Sequence, residues 1–168
     1  MEGSEEFGHR LIAEADDIAR RITVLWSGLA RDEPWLDRYT ALTQDHLPEM
    51  IRALATAALL RSGSQDAGRG LVRAARQHGS TRRDEGLDDV TIPGEYLLLR
   101  RALRPIVAEL AGQPALLTSV VAHLELAMGL AEAAALHGYH RDEPDASPPE
   151  DLEAACLSEW TRVASVMQ

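Results

Sequence analysis

Lysine is absent from the chain, and all 17 basic residues are arginine. This excludes Schiff-base chemistry on a lysine amine and a phosphate-cradling lysine, and no Gly-x4-Gly-Lys-Ser/Thr segment occurs. Cysteine is reduced to a single residue, Cys156, which rules out an internal disulfide framework and any multi-cysteine metal site. Aromatic residues make up only 4% and phenylalanine occurs once, so a core has to be built from Leu, Ala, Ile and Val. No segment alternates apolar and polar residues with the period of a strand, and no internal repeat of about 20 to 50 residues is present. These absences leave a helical chain without the usual catalytic or metal-binding signatures.

The 168 residues are 45% hydrophobic and 26% charged, a globular balance. Acids outnumber bases 27 to 17, a net charge of −10. That field repels polyanions, so no nucleic-acid partner is expected. The segment Met1–Glu6 is acidic and resembles no secretory signal. The apolar stretch Leu116–Leu136 is broken by His123, Glu125 and Glu132 and is expected to be too polar to cross a membrane. The expected location is the cytoplasm.

Helical periodicity runs through the whole sequence. Phe7, Leu11, Ala15, Ile18, Ile22, Leu25 and Leu29 form one stripe on a long first helix, ended by Asp32-Glu33-Pro34. A second helix carries Leu47, Met50, Ile51, Leu54 and Ala58, with Pro48 in its first turn. The third places Leu71, Ala75, His78 and Arg82 on one line and stops near Gly86. The fourth starts around Pro93 and carries Tyr96, Leu99, Leu103, Ile106 and Leu110, with a kink expected at Pro105. Leu117, Val120, Leu124, Ala127, Ala131 and Ala135 make a fifth that fades at Gly138. A polar connector, residues 141–149, leads to a last helix with Leu152, Cys156, Trp160, Val163 and Met167. The expectation is all-α: a six-helix bundle in a single domain spanning residues 1–168, with its core between about residues 7 and 166.

Catalytic and metal signatures are weak. Glu6-Phe7-Gly8-His9 is the only Glu-x-x-His, and one such motif does not make a di-iron site. His137 and His140 form an i, i+3 pair at a helix C-terminus, where cations are favoured by the dipole. Cys156 falls on an apolar stripe and reads as a small hydrophobe. No catalytic residue, metal or cofactor is therefore assigned, and the chain is expected not to be an enzyme.

Polar residues at apolar positions carry more information. His78 and Arg82 continue the Leu71–Ala75 line and should face inward. Counted from the turn at Gly86-Leu87, His78 stands level with Glu95 or Tyr96 and Arg82 level with Thr91 or Ile92. A semi-buried group of His78, Arg82 and Glu95 follows, with a hydrogen bond from His78 or Arg82 to the Glu95 carboxylate.

The order His78-x3-Arg82-x3-Gly86-Leu87, then Glu95-Tyr96-x2-Leu99-Arg100, resembles the N-terminal domain of RsbR/RsbRD-type stressosome and sensor-kinase proteins (the RsbT co-antagonist N-terminal domain family). Leu47-Pro48-x2-Ile51-x2-Leu54 and Trp26 are similar to that family's Leu-Pro segment and first-helix aromatic. The resemblance implies a globin-like module that binds no haem in its best-known members and dimerises. It also implies signalling to a partner protein or a covalently linked kinase, STAS or PAS region. Its signature positions here are His78, Arg82, Gly86, Glu95, Tyr96 and Arg100. A sensory homodimer is the first expectation, with Trp26, Leu29 and Trp160 near the seam. A haem or tetrapyrrole sensor with axial ligands from His78 and His123 is the alternative. A helix-turn-helix regulator using Arg69, Arg73, Arg76, Arg82 and Arg83 is the third.

Overall fold

The computed structural model describes residues 3–32, 47–60 and 65–140. Among them are six α-helices and no strand: α1 (Ser4–Ala13), α2 (Ala15–Asp32), α3 (Leu47–Ala55), α4 (Gln65–Asp84), α5 (Thr91–Ala111) and α6 (Pro114–His140). Residues Thr56–Leu60 continue α3 as a π-helical turn. The all-α expectation holds, but the helices are divided differently. The long first helix is interrupted at Glu14, whose ψ of 7° leaves the helical region. The hydrogen-bond ladder crosses the interruption, because Glu14 N–H donates to the Arg10 carbonyl and Ile18 N–H to that of Glu14. The stripe therefore stays in phase: Phe7, Leu11, Ala15, Ile18 and Ile22 are all buried. It ends there, since Leu25 is 41% exposed. The turn at Pro34, the connector 141–149 and the expected last helix with Cys156 and Trp160 lie outside the described residues, as do the side chains of Trp26 and Leu29.

α5 begins at Thr91 rather than Pro93, which puts Pro93 in the first turn, where a helix needs no N–H donor. The helix continues through Pro105, whose side chain is exposed. At the other end of the α4–α5 connection, Gly86 adopts a positive φ of 73°. Leu87 N–H donates to the Arg82 carbonyl and Gly86 N–H to that of Arg83, a Schellman closure of α4.

α6 does not fade at Gly138 but runs on to His140. Gly138 marks a close approach instead. A Cβ placed on it would lie 2.2 Å from the Arg76 carbonyl oxygen, and one on Gly79 would lie 1.8 Å from that of Ala135. α4 and α6 thus cross backbone on backbone and antiparallel, since residue 76 meets 138 and residue 79 meets 135. Ala131, Ala134 and Ala135 keep this face of α6 flat and buried. α5 packs on α6 and α2, and α3 fills the space among α1, α2 and α4. Phe7, Ile18, Ile22, Ile51, Leu54, Leu71, Ile92 and Leu98, among others, make one buried cluster.

α6 is also 27 residues long with a mean hydropathy of 1.5 over its best window, enough by length and composition to cross a membrane. The expectation that the stretch is too polar for this is corrected, because the charges are few and widely spaced. Its buried residues, Val120, Leu124, Ala127, Ala131 and Ala135 among them, lie on the side where α4 and α5 pack.

Adding a methyl group at the crossing should be severe, whereas open helical glycines should gain from it. Gly79→Ala and Gly138→Ala are expected to lose about 3 kcal/mol or more in urea denaturation, since backbone rather than a side chain has to move. Gly129→Ala, on the exposed side of α6 with nothing near its Cβ, should gain about 0.5–1 kcal/mol.

Candidate functional site

α4 and α5 share few close backbone contacts, so long side chains span the gap between them. Arg82 is 0% exposed, and nothing larger among the described residues is so fully buried. Its Nε–H donates to both oxygens of Glu95, at 2.9 and 3.2 Å. Its Nη1 donates to Glu85 at 2.7 Å. His78 donates Nε2–H to the second Glu95 oxygen at 2.7 Å. Both expected partners therefore reach Glu95 together. Arg82 does so from a level assigned to Thr91 or Ile92, because its side chain extends one further turn.

One carboxylate buried at 5% exposure is thus met by two donors from α4, which offsets much of the cost of removing it from water. Taking His78 as neutral, Arg82, Glu95 and Glu85 sum to one net negative charge. Glu85, with a side chain 30% exposed, holds the surplus at the edge of the site.

Tyr96 stands next to Glu95 and beside the cluster. Its ring meets that of His78 edge to face, 6.3 Å between centroids and 86° between planes. Its hydroxyl donates to the Met50 sulfur of α3 at 3.9 Å. Burial, reinforced by the charge of Glu95, pushes the ionisation of Tyr96 far above the usual phenol range.

Arg100, the remaining signature residue, faces away from Glu95. It bridges Glu125 at 3.1 Å and Glu132 at 2.8 Å, both on α6. A cleft of about 10 Å³, room for a single water, lies beside it between α5 and α6, lined by Leu103, Val107 and Leu124 among others. Gly86 serves the cluster by closing the turn that follows α4, directly after Glu85.

The other candidates are not brought together. His123 is buried on α6 and donates Nδ1–H to the Ser119 carbonyl at 2.7 Å. From the Gly79–Ala135 contact, His78 is level with residue 136, about thirteen residues and about 20 Å along the axis from His123. With Nε2 of His78 held by Glu95, the two histidines do not fit a haem between them. Of the arginines of α4, Arg82 is buried, Arg83 donates to the Tyr139 carbonyl at 3.3 Å, Arg69 pairs with Asp66 at 3.5 Å on the surface and Arg73 is exposed. His140 lies 3.4 Å from Asp89. Among the described residues no three metal-ligating side chains converge.

Four residues contribute without having been expected to. Glu85 could have been seen from its i, i+3 spacing to Arg82, and Met50 only from its place on the α3 stripe. Tyr139 bonds the Leu87 carbonyl through its hydroxyl at 2.8 Å, tying the end of α6 to the α4–α5 turn. Gly79 sets the α4–α6 spacing behind the cluster.

No family model, curated protein or solved structure matches the chain.

The depth of the cluster sets its energetics. Glu95→Ala leaves the buried Nε–H of Arg82 without its carboxylate and should cost about 3–5 kcal/mol, against less than about 1 kcal/mol for breaking the exposed Arg20–Asp17 pair. A double-mutant cycle on Arg82 and Glu95 should give a coupling of about 1–3 kcal/mol.

Tyr96 predicts an alkaline effect. Its folded-state ionisation is raised above the unfolded value near 10.0, so its contribution is fully present below that pH and is lost as pH climbs beyond it. The loss should approach about 1.4 kcal/mol per pH unit and should disappear in Tyr96→Phe, as read by denaturation midpoints across the alkaline range.

Proposed function

We propose that the chain is a non-catalytic sensory or regulatory module of bacterial signal transduction, related to the globin-like N-terminal domains of the RsbR type. It works in the cytoplasm as a homodimer and passes its state to a partner protein or a linked output domain. The observation that carries this reading is the buried ion cluster of His78, Arg82, Glu85 and Glu95. A buried ion pair is a poor way to stabilise a fold, since apolar residues of similar size do as well or better. It is a good way to make one arrangement of two helices strictly conditional on a few charges, which is what a two-state relay requires.

The surroundings of the cluster support the same reading. Tyr96 links it to Met50 on α3, and the neighbouring Arg100–Glu132 pair links α5 to α6. A change in the α4–α5 spacing would therefore be felt on both sides of the bundle. The exposed apolar side chains Val24 and Leu25 on α2, at 72% and 41%, supply surface for a second copy near the expected seam. The order of the signature from His78 to Arg100 supports the family assignment.

Light scattering at tens of micromolar tests the dimer: twice 18.4 kDa is expected, and a clean monomer removes it. If the cluster is coupled to assembly, Glu95→Gln should change the dimer dissociation constant by about 5-fold or more while the far-ultraviolet spectrum stays helical. An unchanged constant in a folded variant would reduce the cluster to a structural clamp.

A further inference from the structure

Hydrogen-bond accounting at His78 shows an imbalance. Nε2–H is donated to Glu95, whereas Nδ1 is fully buried with no partner among the described residues. The ring itself meets Glu95 and Tyr96 of α5. Arg82 of α4 and Glu85 just after it join through the Glu95 carboxylate, Met50 of α3 lies behind Tyr96, and Glu132 of α6 acts on Tyr96 while bound to Arg100. None of these is an acceptor for Nδ1. A neutral imidazole leaves only a lone pair unused there. An imidazolium would bury an unpaired, charged N–H, which is the costlier defect.

The attraction that would favour the imidazolium is already spent in part, because Arg82 binds both Glu95 oxygens. The surplus negative charge on Glu85 is drawn to the Arg82 Nη1 and sits toward solvent. Charge and hydrogen-bond geometry therefore pull in opposite directions at this ring.

We infer that the cluster is a proton-responsive latch: His78 is held as the neutral Nε2–H tautomer, and taking up a proton at Nδ1 opens the α4–α5 contact instead of tightening it. The proton enters at Nδ1 from solvent and no bond other than N–H is formed. The ring is displaced from Glu95 toward water, where Nδ1–H finds an acceptor, and Arg82 alone keeps the carboxylate. As a signal this rests on the sensory reading above, with the proton as the input; as a property of His78 it does not.

Two measurements on the whole chain test it, and neither depends on a partner. Side-chain ¹⁵N spectra at about pH 7 should show His78 as the Nε2–H tautomer. Amide exchange, converted to protection factors so that intrinsic rates cancel, should show residues 78–95 losing protection as the solution is acidified from neutral pH. The fall should approach but not exceed about tenfold per pH unit, the limit for one proton. His78→Gln keeps a donor for Glu95 without a titrating ring and should abolish the dependence. If that variant does not fold, the wild-type tautomer and protection profile decide by themselves. A doubly protonated His78 at neutral pH, equal or greater protection on acidification, or a dependence that survives in folded His78→Gln would each overturn the latch. If the latch holds while dimerisation is absent or indifferent to Glu95→Gln, the sensory reading fails and the chemistry of His78 stands.

Discussion

The backbone contact between α4 and α6 is the constraint on which the remaining packing depends. Gly79 and Gly138 each occupy a place where even a Cβ would overlap a carbonyl of the other helix. Such an approach draws two long helices together along their length without large side chains, which suits a chain with little aromatic content. It also fixes the height of His78 and Arg82 relative to everything else. Both are anchored on the helix whose position the glycines decide, so the cluster inherits its geometry from a contact on the neighbouring face.

The α4–α5 side is built on the opposite principle. Where the helices stand apart, Arg82 and Glu95 fill the gap with long polar chains, and the core continues around them through Ile92, Leu98 and Tyr96. An apolar pair of similar volume would serve stability as well. What the ionic pair adds is selectivity, because only this register satisfies two donors and one carboxylate, and sliding either helix by a turn would leave charges buried alone. The fold thus joins a rigid, glycine-defined half to a half whose closure depends on charge. Tyr96 lies on the charge-dependent side and transmits its position to α3.

The sequence pattern carried the helices well and the cluster in good part. The stripe from Phe7 to Ile22 and the line from Leu71 to Arg82 were legible because helical burial repeats every three to four residues. His78 and Arg82 interrupting an apolar line signalled inward polar groups, and counting from Gly86 found Glu95. The same counting failed for Arg82, because it compares backbone heights and ignores the reach of a guanidinium. Arg100 was named only through the family resemblance; a residue five positions beyond Glu95 has turned well away around the helix and meets α6 instead.

The sequence by itself determined that the chain would be helical, where most helices lie, how α4 ends and which polar residues face inward. These are local matters of periodicity, capping and turn chemistry. Only the tertiary structure decided that Gly138 is a contact and not a terminus, that Glu14 interrupts the first helix and that Glu85 gives Arg82 a second carboxylate. It also decided that His78 has a partner for one nitrogen and, among the described residues, none for the other. A glycine in a helix looks the same whether it faces water or another backbone, and a histidine's second nitrogen has no signature in sequence. Both depend on which atoms arrive from elsewhere in the chain.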